Sequence, residues 1–480
     1  MKELIDLALE KTRETGATYS DARIVHAKSE RITVRKGAVS GVNYNETSGI
    51  GIRTIIDGAW GFASTPDLEP EAVRKAARTA CAIAKASARC KKRDVELSDE
   101  APVRARYRTP EKIDPFAVKL EDKIGLLLDA DKLLRSNPKV RLSDASLVFH
   151  RTEKVFASSE GAFIEQELTE SGGGITATAV KPGEVQSRSY PNGRSGGHKA
   201  AGYEFIERMG FLDQAERLSK EAADLLEAPQ CPSVETTLLL HGSCLALQIH
   251  ESVGHPVELD RALGSEVGMA GASFATPDRL GKLQYGSEIV NLTADATARE
   301  GLGTFGYDDD GVPAQAVPIV RDGLFVGYLS SRDTAPAIGR KSAGAARATS
   351  WNKIPLVRMT NVNLDPGDVT KDEIIRDTKD GILMEGMGSG SIDDMRTNFQ
   401  FGPECAWEIK DGSVGRMLKN PTYTAKTLDL WHSCDAIAGD DWQVWGIPSC
   451  GKGQPGQVAH VGHGASTTRF RGVKVGVGKW

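Results

Sequence analysis

Apolar residues recur at helical spacing from residue 3 to 14, at Leu4, Ile5, Leu7, Ala8 and Leu9, and Gly16 closes the run. Alternating segments follow at 22–26, 31–35, 39–44 and 49–56, separated by Gly, Asn and Lys, and these predict short strands. Pro70 then opens a helix that reaches about Ala88. The plan recurs. Residues 121–135 carry a helical period, and SDASLVFHRTEKVFA from Ser143 aligns without gaps on SDARIVHAKSERITV from Ser20, an offset of 123 residues. A helix over 206–226 closes the second copy. Residues 1–228 therefore read as an N-terminal α/β domain of two helix–meander–helix units, 1–110 and 111–228.

Ala228-Pro229-Gln230-Cys231-Pro232 reads as a linker, because two prolines in four residues stop a helix and break a sheet. Beyond it the texture becomes glycine-rich, with short β-type runs joined by turn signals such as Arg321-Asp322-Gly323 and Lys410-Asp411-Gly412. Residues 229–480 are expected to form a largely antiparallel β domain, which makes the whole chain α+β.

The chain has 480 residues, a formal net charge of −5 and 40% hydrophobic residues. That apolar share excludes a disordered chain, and the near-balanced charge gives no basic footprint for nucleic acid. No stretch has the roughly 18 apolar residues of a membrane-spanning helix, and the first 15 residues mix acids with bases where a signal peptide has an apolar core. Seven widely spaced cysteines suit reduced thiols in a cytoplasmic protein better than a disulfide framework.

The richest local signal is SCLALQIHESVGHP, residues 243–256, in which Ser243 suits a helix N-cap and Leu245, Leu247 and Ile249 a buried helix. His250 and His255 bracket Glu251. Imidazoles with a neighbouring carboxylate are the equipment of zinc peptidases, but those carry the histidines at i, i+4. At i, i+5 a regular α-helix sets the rings about 140° apart. Gly254 and Pro256 offer one solution, a left-handed helix end from which His255 swings back; a π-bulge offers another. A third ligand is needed. The candidates are Cys450 in a turn of small residues, the His432/Cys434 pair, the His460/His463 pair, read mainly as surface or pocket polar groups, and Asp308-Asp309-Asp310, read as a solvated acidic turn. Gly386-Met387-Gly388-Ser389-Gly390 lacks the Lys-Ser/Thr of a P-loop and reads as a β-loop.

HESVGHPVELDRA (250–262), DDDGVP (308–313), RDGLFVGYL (321–329), PLVRMTN (355–361), NFQFGPECAWEIKDG (398–412) and SCGKGQ (449–454) together resemble the TldD branch of the TldD/PmbA family of metallopeptidases. The resemblance implies Zn2+ held by His250, His255 and Cys450, with Glu251 as the catalytic carboxylate, a set the PmbA (TldE) branch lacks. It implies a dimer, with a second copy or with a PmbA/TldE-like paralogue, enclosing a tunnel for unfolded polypeptides such as peptide-precursor leaders or antitoxins. The alternative is a non-catalytic, zinc-stabilised partner subunit. The tail departs from the family in its extra His, Cys and Trp residues.

Overall fold

The computed structural model describes residues 1–193, 196–265, 271–453 and 455–478. Its N-terminal elements are α1 (Lys2–Glu14), β1 (Tyr19–Arg35), β2 (Ala38–Ile56), β3 (Ala59–Thr65), α2 (Pro70–Ser87), β4 (Arg104–Arg108), α3 (Leu120–Leu134), β5 (Val140–Ser158), β6 (Phe163–Lys181), β7 (Glu184–Tyr190), β8 (Gly197–Lys199), α4 (Glu204–Met209) and α5 (Phe211–Glu227). The strands form one sheet in the order β3-β2-β1-β5-β6-β4, with β7 and β8 also paired to β6.

These strands are far longer than their broken apolar pattern predicts. β1 runs through Lys28, Ser29 and Glu30 because it pairs with β2 on one side and with β5 on the other, so backbone hydrogen bonds hold it where its side chains bury little. Lys36 and Gly37, both at positive φ, make the two-residue turn that matches the twist of the β1–β2 hairpin. β1 and β5, which carry the two similar stretches, lie side by side and antiparallel. The expected helix over 206–226 is broken at Gly210, whose φ of 61° ends α4 and turns the chain into α5.

Alternation gives the sheet two faces. In β5, Ala145, Leu147 and Phe149 pack with Leu127 of α3 and Leu218 of α5, and Ile24 and Ile52 likewise pack with Ile5 of α1 and Val73 of α2. Ser146, Val148 and His150 point to the opposite face and line a cavity against the C-terminal half.

That half is built on a nine-stranded sheet among the described residues. Near its middle lies β9 (Val234–Leu240), parallel to Asp380–Glu385 and antiparallel to Thr468–Val477. α6 (Gly242–Ile249) leaves the end of β9 and is buried in the largest core, where Leu245, Ile249 and Val253 meet Leu238, Leu240 and Met359. A separate hairpin, Gln443–Lys452 with Gln457–Ala465, stands beside it. The fold is α+β with mostly antiparallel sheets.

Candidate active site

α6 starts one residue before the expected cap. His241 is its N-cap, its ring accepting from the Ser243 amide at 3.3 Å. At its end the chain makes one π-helical turn, His250–Gly254, in which the His255 amide reaches back five residues to the His250 carbonyl at 3.1 Å. Of the two solutions to the i, i+5 spacing, the structure therefore adopts the π-turn; Gly254 is no left-handed end, and His255 keeps helical dihedrals. The glycine serves close packing. A Cβ on Gly254 would stand 2.1 Å from Met359 Sδ. Ser252 is tied on both sides, its Oγ donating to the Gln248 carbonyl at 2.6 Å and accepting from Trp431 Nε1 at 3.0 Å.

One extra residue per turn brings the two rings onto one side, with centroids 4.8 Å apart and planes at 87°. Cys450 arrives from the hairpin strand Gln443–Lys452, where a register shift between Ile447 and Cys450 re-aims the chain. Its Sγ lies 3.8 Å from His255 Nε2. The ligand atoms of His250, His255 and Cys450 all lie within 4.8 Å of one another, on residues only 2–4% exposed. The set fits zinc. Two imidazole nitrogens and a sulfur are its usual donors, and tetrahedral geometry with Zn–N about 2.0 Å and Zn–S about 2.3 Å separates N from S by about 3.5 Å. Burial pushes the Cys450 thiol up, but His255 and Arg358 outweigh it, and the thiol sits below its ordinary value, toward the thiolate a metal takes.

Each imidazole has a second partner. His255 Nδ1 is 3.0 Å from Glu258 Oε2, and that buried carboxylate also meets Arg261 Nε at 2.7 Å and Lys452 Nζ at 3.4 Å. Against the cost of burial, Lys452, Arg261 and His255 hold Glu258 well below the usual carboxylate range. His250 Nδ1 is 2.8 Å from His463 Nε2, and His463 Nδ1 is 3.2 Å from the Val362 carbonyl. Burial, then the neighbouring His250, keeps His463 far below the ordinary imidazole value and hence neutral.

Glu251 is ion-paired to Arg396. Burial raises its carboxyl, yet His255, His250 and Arg396 together leave it below the ordinary value, so it is ionised at neutral pH. With His250 it lines a cavity of about 650 Å3 whose other walls include His150 and Thr176 of the N-terminal sheet and Leu247 and Ser391 of the C-terminal half.

Several sequence candidates lie elsewhere or do other work. His432 is exposed and Cys434 sits in a strand against Phe470, and neither joins the cluster of His250, His255 and Cys450. Asp308, Asp309 and Asp310 are not a solvated turn but buried fasteners: Asp310 pairs with Arg53, Asp309 with Lys154, and Asp308 accepts three backbone N–H groups. Apolar neighbours exclude water, and the opposing sheet supplies the cations. His463 is fully buried against His250, and His460 forms an ion pair with Glu170 at 2.5 Å, so neither is a plain surface group. In the Gly386–Gly390 stretch, the Gly386 and Met387 amides are taken by Ser243 Oγ and Asn192 Oδ1, and the chain then enters the strand Ser389–Ile392. Glu258, Arg396 and the His463 contact were not anticipated; only the EL-D-R run after His255 hinted at the first.

A buried His/His/Cys centre with a carboxylate beside it, on an α+β fold with a deep cleft, is the equipment of a metallopeptidase class. The comparisons agree. Residues 233–477 match the PmbA/TldA metallopeptidase C-terminal domain, 20–84 its domain 1 and 113–228 its central domain. The chain belongs to the TldD/PmbA family. It is 30% identical over 461 residues to a metalloprotease of Methanocaldococcus jannaschii, covering 96% of this chain and 97% of that one. It is 25% identical to the metalloprotease TldD homolog of Buchnera aphidicola from Acyrthosiphon pisum, covering 98% and 95%. TldE from Thermococcus kodakarensis superposes with a TM-score of 0.76 at 17% identity over 98% of this chain and 99% of that one, and a putative modulator of a DNA gyrase from Thermotoga maritima with 0.78 at 16% over 99% of each.

Proposed function

We propose that this chain is a zinc-dependent peptidase acting on unfolded or flexible polypeptides. The observation that carries the reading is the convergence of His250, His255 and Cys450 beside a cavity that Glu251 lines. Zinc, when bound, acts as a Lewis acid that polarises the scissile carbonyl and acidifies the attacking water. Glu251 takes the proton from that water at its carboxylate and returns it to the leaving amine nitrogen. His255, His250 and Arg396 together keep that carboxylate ionised beforehand. Glu258 and His463 hold the Nδ1 atoms of the two ligating rings and leave their Nε2 lone pairs available.

The strand Ser389–Ile392 is an edge of its sheet, and three of its residues line the cavity. An extended peptide can add to that edge through backbone hydrogen bonds, which would make cleavage tolerant of sequence and demanding of unfoldedness. Peptide-precursor leaders and antitoxin-like proteins suit that requirement. The likeness to TldE supports pairing with a TldE-like paralogue or a second copy. Seven free cysteines support a reducing, cytoplasmic setting, and no described helix is long and apolar enough to cross a membrane.

Replacing Glu251 by Gln tests the reading against a structural zinc in a non-catalytic subunit. The proposal expects zinc content unchanged and kcat on an unstructured peptide lowered about 100- to 10,000-fold. Cleavage unaffected by the substitution contradicts it.

A further inference from the structure

A second cavity, of about 270 Å3, adjoins the first across the ring pair of His150 and His460, which line both and whose centroids are 5.0 Å apart. Its outer rim is marked by the exposed Thr349 and Val458. Its inner wall backs onto the metal centre, since Arg358, another lining residue, donates to the Cys450 carbonyl.

The charges in this cavity are matched with one exception. Lys154 Nζ pairs with Asp309 at 2.6 Å, and the other Asp309 oxygen accepts the Ala348 amide and faces Arg23 at 3.5 Å. Glu170 pairs with His460. Asp308 is satisfied by the amides of Asp310, Val312 and Ala346. Arg358 donates to the carbonyls of Gln457 and Cys450, and its Nε lies 4.0 Å from Glu258. Arg347 differs. One of its nitrogens donates to the Met359 carbonyl at 2.7 Å and its guanidinium lies over the Phe305 ring, but among the described residues it has no carboxylate partner. Burial, then the charge of Arg358, pulls its pKa down to about 10, although Glu170 and Asp309 act in the other direction from beyond ion-pair distance.

We propose that this second cavity is a subsite for a carboxylate of the bound peptide, anchored by the guanidinium of Arg347. The planar fork of an arginine matches a carboxylate in two parallel hydrogen bonds, and in a partly desolvated cavity such a bond is stronger than at a surface. The carboxylate is either the chain terminus or an Asp or Glu side chain near the cut. The inference rests on the peptidase reading for its substrate, but the cavity and its charges stand without it.

Three probes separate the sources: N-acetyl-glutamate α-amide carries only the side-chain carboxylate, N-acetyl-glutamine only the terminal one, and N-acetyl-glutamine amide neither. Calorimetric titration is done on protein stripped of metal, so that coordination to an ion cannot be the signal. One of the two acids is expected to bind at least tenfold more tightly than the amide, with the preference lost in Arg347→Met and reduced but not lost in Arg347→Lys, which keeps the charge without the fork. Equal binding of all three probes by the wild type overturns the proposal without any variant, and so does a preference that survives Arg347→Met. Matched peptides bearing the same groups, assayed for cleavage, then separate the two readings. A carboxylate preference without cleavage sustains the subsite and sinks the peptidase; cleavage without the preference does the reverse.

Discussion

At the proposed metal centre, hydrogen bonds choose the tautomers. The Val362 carbonyl can only accept, so the proton of the neutral His463 ring sits on Nδ1 and its Nε2 must accept from His250 Nδ1–H. His250 Nε2 is thereby left with its lone pair, as Glu258 leaves that of His255. Of the two rings proposed as ligands, one is oriented by a carboxylate and the other by a neutral imidazole. Replacing His463 by Ala should weaken zinc binding about 10- to 100-fold, and Gln, whose carbonyl also accepts, should recover part of the loss. Competition with a chelating dye reads the affinity; an unchanged affinity in the Ala variant contradicts the role. His250, Glu251 and His255 were legible in the sequence because they lie in one short run of telling residue types. Arg396 was not, and His463 was legible only as one of several possible ligands and not as the partner of His250, since the two stand 145 and 213 residues from the groups they touch, and only the assembled sheets bring them in.

The element that makes the site is the single π-helical turn at the end of α6. Its extra residue is accommodated because Gly254 packs directly on Met359 and because Ser252 is tied to Gln248, Trp431 and Tyr285. Gly254→Ala forces the Met359 thioether aside. It should cost about 2 kcal/mol, seen as a lower thermal midpoint of the metal-free protein, and should also weaken zinc binding as the rings move. A variant as stable as the parent, with unchanged zinc affinity, would contradict this packing. The histidine spacing announced an irregular turn, but which irregularity depended on Met359, about a hundred residues away in the chain. The same limit applies to β1 and β2. Their polar middles read as breaks, because the strands on either side that sustain them are invisible to local periodicity. The break at Gly210 was masked by good helical spacing on both sides of it.

In the whole molecule, the cavity exists because one face of the N-terminal sheet is fastened to the C-terminal half by ion pairs, Arg53 with Asp310, Lys154 with Asp309, and the half-buried Glu170 with His460. The last of these titrates. Despite burial, His460 holds Glu170 down at about 2, and despite burial Glu170 raises His460 above its ordinary value. Glu170 stabilises the folded state above its ordinary value near 4.5 and loses that contribution as pH falls toward 2. The contribution of His460 is complete below about 6.5 and fades as pH rises through its raised folded value. The pair therefore acts most strongly between about pH 4.5 and 6.5. Glu170→Gln should cost about 3 kcal/mol in that window and less at pH 9, which thermal melts across pH will read. A pH-independent loss would contradict the pairing. The acidic run 308–310 was misread for the same large-scale reason, because its burial is created by a sheet more than a hundred residues upstream. The central claim is that two segments 195 residues apart meet at one zinc ion. X-ray absorption at the zinc edge of the purified protein tests it most directly. The account predicts one sulfur at about 2.3 Å with nitrogen or oxygen ligands at about 2.0 Å, the sulfur vanishing in Cys450→Ser; a zinc shell without sulfur in the wild type would contradict it.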